Sequence, residues 1–297
     1  MTQRSNLTVA IATLNRPEGL AFCLDALLLG DTLPGEVIVI DQSKAQNGSP
    51  VITGRDSPVP LIYIHQQRLG LSASRNAAIE RAAFPIIAFT DDDCIPDRGW
   101  VAAINRALVE APEIDAVTGR VLPFGPETPD TYPVSSREST QRKDYHGKSI
   151  PWLVGTGGNF AFRRSWQERI GKFDEQLGAG SSGRACEDGD FIYRMLRAGA
   201  YIRYEPEAVI FHRRQSIVQR LNSRWNYGYG IGAFCGLWLR KLELYVGYIL
   251  LYWIIGLLRE MVSFAVTRNW EEVHQRMLIV RGTLRGLGYG LWVKKIE

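Results

Sequence analysis

An apolar, β-branched run at Leu7–Thr13 (LTVAIAT) stops at Asn15-Arg16-Pro17, where a proline suits the first turn of a helix. Further apolar runs at residues 36–40, closing in Asp41, at Leu61–His65 and at residues 86–89 predict three more strands. Helical spacing predicts helices over residues 19–29, 72–83 and 100–110, the second capped by Ser72. Strands alternating with helices predict a doubly wound, mostly parallel α/β sheet, Rossmann-like in its layers. Ligands of such sheets sit beyond the carboxyl ends of the strands, which is where Asn15, Asp41 and the run Asp91-Asp92-Asp93 fall.

Beyond residue 120 the alternation breaks down. Residues 123–148 are rich in Pro, Ser, Thr and charge and read as a long excursion of the kind that often forms a lid or binding loop. A Gly-rich turn then leads into a strand at 159–163, and a helix at 191–198 ends at Gly199. Residues 201–204 and 208–211 read as two short edge strands, the second followed by His212. The uncharged stretch 244–258, LYVGYILLYWIIGLL, falls short of the ~20 residues an upright span needs, and extending it encloses Arg259 and Glu260. With Trp238, Tyr245, Tyr248, Tyr252, Trp253 and Trp270 around it, this pattern predicts an interfacial or re-entrant helical pair.

Charge sharpens that division. Beyond His212 stand 13 basic and 5 acidic residues, a local balance of +8 that leaves −4 for the rest of the +4 chain. A basic, apolar tail calls for an anionic neighbour, and arginines set among long aliphatic runs suit a lipid surface better than nucleic acid. The four cysteines, Cys23, Cys94, Cys186 and Cys235, show no CxxC pairing, so neither a disulfide framework nor a zinc site is expected and a reducing compartment fits. The N-terminal stretch lacks a secretory pattern. The expected organisation is an α/β domain over 1–214 and a membrane-associated helical tail over 215–297, on the cytoplasmic face of the membrane.

Candidate chemistry centres on FTDDDCIPDRGW, residues 89–100. If the backbone stays extended, Asp91 and Asp93 share one side and Asp92 faces away, giving two carboxylates for a hard cation such as Mg2+ or Mn2+. The structural alternative is a solvated turn that caps the next helix. In Glu187-Asp188-Gly189-Asp190, Asp188 or Asp190 could cap a helix, and a carboxylate fixed there is also well placed as a base. Arg75 is either a solvent-facing helix residue or a guanidinium near a phosphate. His212 could complete a cation's ligand set, with His65 and His146 weaker candidates. No GxGxxG follows the first strand and no P-loop occurs, so a nucleotide must be held by other means.

Taken in order, VAIATLNRP, VIVIDQS, LGLSASRNAAI, FTDDDCIPDRGW, GTGGNFAFRR and CEDGDFIYRMLRAG resemble the family 2 inverting glycosyltransferases of the GT-A fold, over residues 7–214. The resemblance implies a nucleoside-diphosphate sugar donor, a divalent cation, Mn2+ or Mg2+, and transfer to a hydroxyl of a saccharide or lipid-linked acceptor with inversion. It further implies that Thr13 and Asn15 lie beside the nucleotide, Asp41 accepts hydrogen bonds from the base and Arg75 approaches the nucleotide. Asp91 would sit by the ribose and cation and Asp93 would ligate the cation. Asn159 with its glycines would line the sugar and acceptor pocket, Glu187 would flank the donor, and Asp188 would be the general base. The QxxRW signature of processive synthases is broken: in QRLNSRW (219–225) Arg224-Trp225 fit, but Leu221 occupies the glutamine's place, which implies single additions. A nucleotidyltransferase and a non-catalytic sugar-nucleotide-binding membrane scaffold are the alternatives. The former releases diphosphate instead of a nucleoside diphosphate, and the latter neither transfers nor hydrolyses the donor.

Overall fold

The computed structural model describes residues 3–293, so Lys294 and Lys295, counted above in the basic tail, lie outside the described residues. A nine-stranded sheet forms its centre. In the first half, β1 (Leu7–Thr13), α1 (Pro17–Leu28), β2 (Glu36–Asp41), β3 (Leu61–His65), α2 (Leu71–Arg81) and β4 (Ile86–Asp91) follow one another. Their strands are all parallel, in the spatial order β4-β1-β2-β3. All six residues of β2 are buried, as expected of a central strand covered by helices on both faces.

The second half is mixed. β5 (Cys94–Pro96), α3 (Trp100–Val109), β6 (Ala116–Phe124), β7 (Lys143–Tyr145), β8 (Phe160–Arg163), α4 (Glu187–Arg197) and β9 (Ile202–Arg213) complete the unit. β8 lies antiparallel between β4 and β6, and β9 runs parallel to β6 and antiparallel to β5 and β7. One face of the sheet packs Leu7, Val9 and Ile11 against Leu20 and Leu24 of α1 and Trp100 and Ile104 of α3. The other packs Ala10, Ile38 and Ile40 against Ile79 of α2 and Phe191 and Met195 of α4.

Three expectations change. The two short edge strands are one twelve-residue strand, β9, with a register shift between Glu205 and Val209, and it lies inside the sheet between β6 and β7. Helix α2 starts at Leu71 after Gly70 at φ 123°, and Ser72 makes no cap; its hydroxyl donates to the Leu177 carbonyl at 2.6 Å. Helix α4 starts at Glu187, so Glu187, Asp188 and Asp190 occupy its first turn, where the helix dipole favours them, while left-handed Cys186 takes the cap position.

The tail holds three helices of 23 residues, not a pair: α5 (Ile217–Leu239), α6 (Leu244–Val266) and α7 (Trp270–Trp292). Gly228, Gly232 and Gly236 of α5 face Gly282, Gly286 and Gly290 of α7 in matching order, so the two helices run parallel. A methyl at any of these six would land on the facing backbone, so only glycine allows this approach. α6 is long and apolar enough to cross a membrane by length and composition, with a mean hydropathy of 1.8. The bundle docks on α4 through Tyr193, Ile231 and Phe234. Trp238 Nε1 donates to Asp190 Oδ1 at 2.8 Å, and Arg197 pairs with Glu243 at 2.7 Å.

Candidate active site

The register that pairs Thr13 with Asp41 and Ala12 with Asp91 brings the carboxyl ends of β1, β2 and β4 to one line. At the β2 end, Asp41 is wholly buried and accepts from Ser43 N (2.8 Å), Gly48 N (2.8 Å) and Tyr63 Oη (2.9 Å). Burial opposes ionisation, but these donors prevail and hold its pKa below the ordinary carboxylate value. Burial, together with the Asp41 charge, pushes Tyr63 up to about 12. Asp41, expected beside a base, shapes the loop that carries Ser43 through these bonds. Ser43 Oγ in turn accepts from the backbone N–H of Asn15, which adopts φ 55°, at 2.6 Å.

Strand alternation ends at Asp91, because Asp92 and Asp93 form a turn. Asp92 does not face away from its neighbours' chemistry. It is buried, accepts from Thr13 Oγ1 at 2.8 Å, and shares the Arg16 guanidinium with Asp93, at 3.0 and 2.7 Å. Burial first, and then the Asp93 charge, pushes Asp92 up to about 6. Thr13 is thus a partner of the acid turn. Arg16, which the sequence reading passed over, is its external cation.

Arg75 is neither solvent-facing nor free for a phosphate. It is 3% exposed, donates to Glu187 Oε1 at 2.8 Å and stands 3.8 Å from Asp91 Oδ1, with its guanidinium over the rings of Phe89 and Phe173. A single guanidinium therefore serves two carboxylates from opposite ends of the fold. Burial and the neighbouring Asp188 charge push Glu187 up to about 7 despite Arg75, and burial raises Asp91 in the same way.

Two consecutive glycines join these groups. Gly157 N donates to Asp188 Oδ2 at 2.6 Å and packs on the Arg75 guanidinium, while Gly158 backs onto the Asp91 carboxylate. Asp188 Oδ1 accepts from Gly189 N at 2.7 Å, so both oxygens are held at the start of α4. Asn159 does not line the pocket. Its Oδ1 accepts from Trp100 Nε1 at 2.8 Å and its Nδ2 donates to Arg120 and Ala208 carbonyls at 2.9 and 2.8 Å, tying β6, β8 and β9 together behind the site.

His212, near the end of β9, places Nε2 3.4 Å from Asp93 Oδ1. Its Nδ1 lies 2.8 Å from the Arg213 carbonyl, an acceptor only, so Nδ1 donates there and Nε2 is the nitrogen that faces the carboxylate. A proton on Nε2 or a cation joins such a pair, and a divalent ion held by Asp93 and His212 fits the donor set. His65 instead meets the Ser43 carbonyl, and His146 packs on Tyr201. From the tail, Tyr227 lies within the field of Asp188, Asp91 and Asp93 and bonds Ser135 of the excursion. No local pattern signals a residue that reaches the site from a separate helical layer.

Residues 8–171 match the sequence profile described as glycosyl transferase family 2. The chain belongs to that family. Among this family member's curated relatives, hyaluronan synthase of Pasteurella multocida is 25% identical over 71% of this chain and 25% of its own length. Glycosyltransferase AglE of Haloferax volcanii is 26% identical over 75% of this chain and 72% of its own. The chain spans a quarter to about two fifths of the synthases and the pre-mycofactocin glycosyltransferase it matches. A mannosyltransferase of Pyrobaculum calidifontis, solved with GDP-Man and Mn2+, superposes with a TM-score of 0.59 at 16% identity, covering 99% of this chain and 89% of that one. S. aureus TarS with UDP-GlcNAc gives a TM-score of 0.54 at 16% identity over 71% of this chain and 59% of that one. These likenesses establish the GT-A fold for the α/β unit of this family 2 protein.

Proposed function

We propose that the chain is a metal-dependent, inverting, non-processive glycosyltransferase that moves one sugar from a nucleoside diphosphate to an acceptor hydroxyl in cell-envelope polysaccharide or glycolipid assembly. The observation that carries this is the Gly157-Gly158 turn, which fixes Asp188 on one residue and abuts Asp91 with the next. Inversion asks for one carboxylate that takes the acceptor proton from the face opposite the leaving group, on the far side of a site that binds the diphosphate. Asp188, restrained by two backbone donors, suits the base, and the turn of Asp91 to Asp93 with His212 suits the cation. A divalent ion bound there supplies positive charge against the departing diphosphate. Glu187 and Arg75 hold Asp91 in register with Asp188.

Single addition is supported by the break in QxxRW at Leu221 and by the use of Gln219, which lies two residues too early to replace the missing glutamine. It closes a capping box with Ser216 at the start of α5 and is thereby committed. Membrane association is supported by α6, which leaves Leu244, Tyr248, Leu251, Ile255, Val262 and Val266 exposed along its length, and by the basic balance of the tail. We place the protein at the cytoplasmic face, peripheral or re-entrant, with anionic lipid as its neighbour.

A panel of sugar nucleotides with Mn2+ or Mg2+, scored for nucleoside diphosphate release in the presence of lipid-linked saccharides, identifies the donor. With that donor, Asp188→Asn keeps nucleotide binding and loses about 10²- to 10⁴-fold in kcat. Near-normal transfer by Asp188→Asn overturns the assignment of the base. Asp93→Ala abolishes the cation-dependent part of nucleotide binding measured by calorimetry, and unchanged binding overturns the assignment of the cation site.

A further inference from the structure

The pairing of β9 with β5 sets His212 directly opposite Cys94. Opposed residues of an antiparallel pair carry their side chains on one face, with Cβ atoms ~5 Å apart. Asp93 precedes Cys94, and its carbonyl accepts from Arg213 N at 3.0 Å, which locks the same two segments once more. One carboxylate oxygen, the Cys94 sulfur and one His212 nitrogen then lie within 4.8 Å of one another. Cys94 is 1% exposed, and its sulfur faces Gly158, the residue that also abuts Asp91.

Oxygen-seeking cations such as Mg2+ and Mn2+ have little use for the sulfur. A tetrahedral Zn2+, with bonds of about 2.0 Å to oxygen and nitrogen and about 2.3 Å to sulfur, spaces its ligand atoms roughly 3.3 to 3.6 Å apart. The Asp93 to His212 spacing of 3.4 Å already has that value. The two sides that involve the sulfur, each within 4.8 Å, close to that spacing by movements on the order of 1 Å.

The geometry points to a second mode of the cation site: Asp93, Cys94 and His212 form a three-ligand set that takes thiophilic divalent cations, Zn2+ or Cd2+, more tightly than Mn2+. This rests on the reading of Asp93 and His212 as cation ligands given above and adds the sulfur to it. The thiol proton passes to solvent as the bond to sulfur forms, and the fourth position is left for water or a diphosphate oxygen. Thiophilic cations are then competitors of the activating ion.

The test is titration of the full-length, metal-free protein with Cd2+, followed by the sulfur-to-cadmium charge-transfer absorbance, with Mn2+ binding read separately by electron paramagnetic resonance. The expected result is a charge-transfer band that saturates at one equivalent, is lost in Cys94→Ser, and is displaced by Zn2+ but not by equimolar Mn2+. Retained Mn2+ binding by Cys94→Ser shows that the variant is folded. A band of the same size in Cys94→Ser assigns it to Cys23, Cys186 or Cys235 and overturns the inference, as does Mn2+ binding with no band in the wild type. If Cys94→Ser does not fold, His212→Ala serves instead: it keeps the thiol and must weaken Cd2+ at least about 10-fold, and unchanged affinity overturns the inference. Failure of the wild type to bind either Mn2+ or Cd2+ overturns this inference together with the reading of the site as a cation site.

Discussion

Replacing Trp238 by Phe tests how firmly the helical tail holds the acid-bearing helix α4. The phenyl ring keeps the edge contact with Tyr193, whose ring centroid lies 5.0 Å from that of Trp238, but it removes the Nε1 donor to Asp190 Oδ1. Asp190 is 5% exposed, so the lost bond is not replaced by bulk water, although Arg194 still pairs with the other oxygen at 2.8 Å. A hydrogen bond to a charged group contributes about 1.5 to 3 kcal/mol. The smaller ring adds on the order of 1 kcal/mol for the space left behind. Trp238→Phe is therefore expected to cost about 3 kcal/mol, measured by urea unfolding in mild detergent with circular dichroism as the probe. In a cycle with Asp190→Asn the two changes should couple by at least about 1 kcal/mol. Asp188 lies two residues before Asp190, so kcat should fall while nucleotide affinity holds. A loss below about 0.5 kcal/mol, or additive behaviour in the cycle, refutes the view that the tail braces the base through this bond.

Glu187 has a folded-state pKa of about 7 against an ordinary 4.5, so the folded protein holds the extra proton between those values. Its contribution is complete below about pH 4.5 and lost as pH rises through 7, on the order of 3 kcal/mol in all. Glu187→Gln should remove that part of the slope in pH-dependent unfolding, and an unchanged slope counts against it. Gly286→Val should destabilise the tail by more than the ~1 to 3 kcal/mol of ordinary overpacking, because the new methyl meets the Tyr229 backbone. A melting temperature within a degree or two of the parent would contradict that close approach.

The strands β1, β2 and β4 were legible because central parallel strands are buried on both faces and so read as uninterrupted apolar runs, while β3, half-buried at the sheet edge, was legible from its short β-branched and aromatic run. β6 was not, since Thr118, Gly119 and Arg120 interrupt its apolar pattern. Gly119 is there because the Ala208 carbonyl approaches too closely for a side chain. β9 was split in two by Glu205-Pro206-Glu207, the segment that spans its register shift. In the site, residue type and position beyond strand ends singled out Asp91, Asp93 and His212, and a helix start with the family resemblance singled out Asp188. They could not reveal which charges are spent internally. Arg75 and Asp41 carry the right chemistry for a nucleotide, but Arg75 is enclosed by a partner 112 residues away and Asp41 by its own following loop and Tyr63, while Asn159 is used in joining three strands. Arg16 was hidden in plain view, as a turn residue whose partners lie some 76 residues away.

The parallel packing of α5 on α7 also bears on how the protein comes into being. α5 exposes a bare strip of backbone along Gly228, Gly232 and Gly236 until α6 has turned back and α7 has followed it out of the ribosome. Domains fold largely in order of synthesis, so the sheet and its acids can assemble well before that strip is covered. Because α5 also carries Tyr227 to the acids and Trp238 to Asp190, the side of the site that the tail covers is the last part to set. A nascent chain halted before Trp270 would have its nucleotide end formed and its other wall still loose.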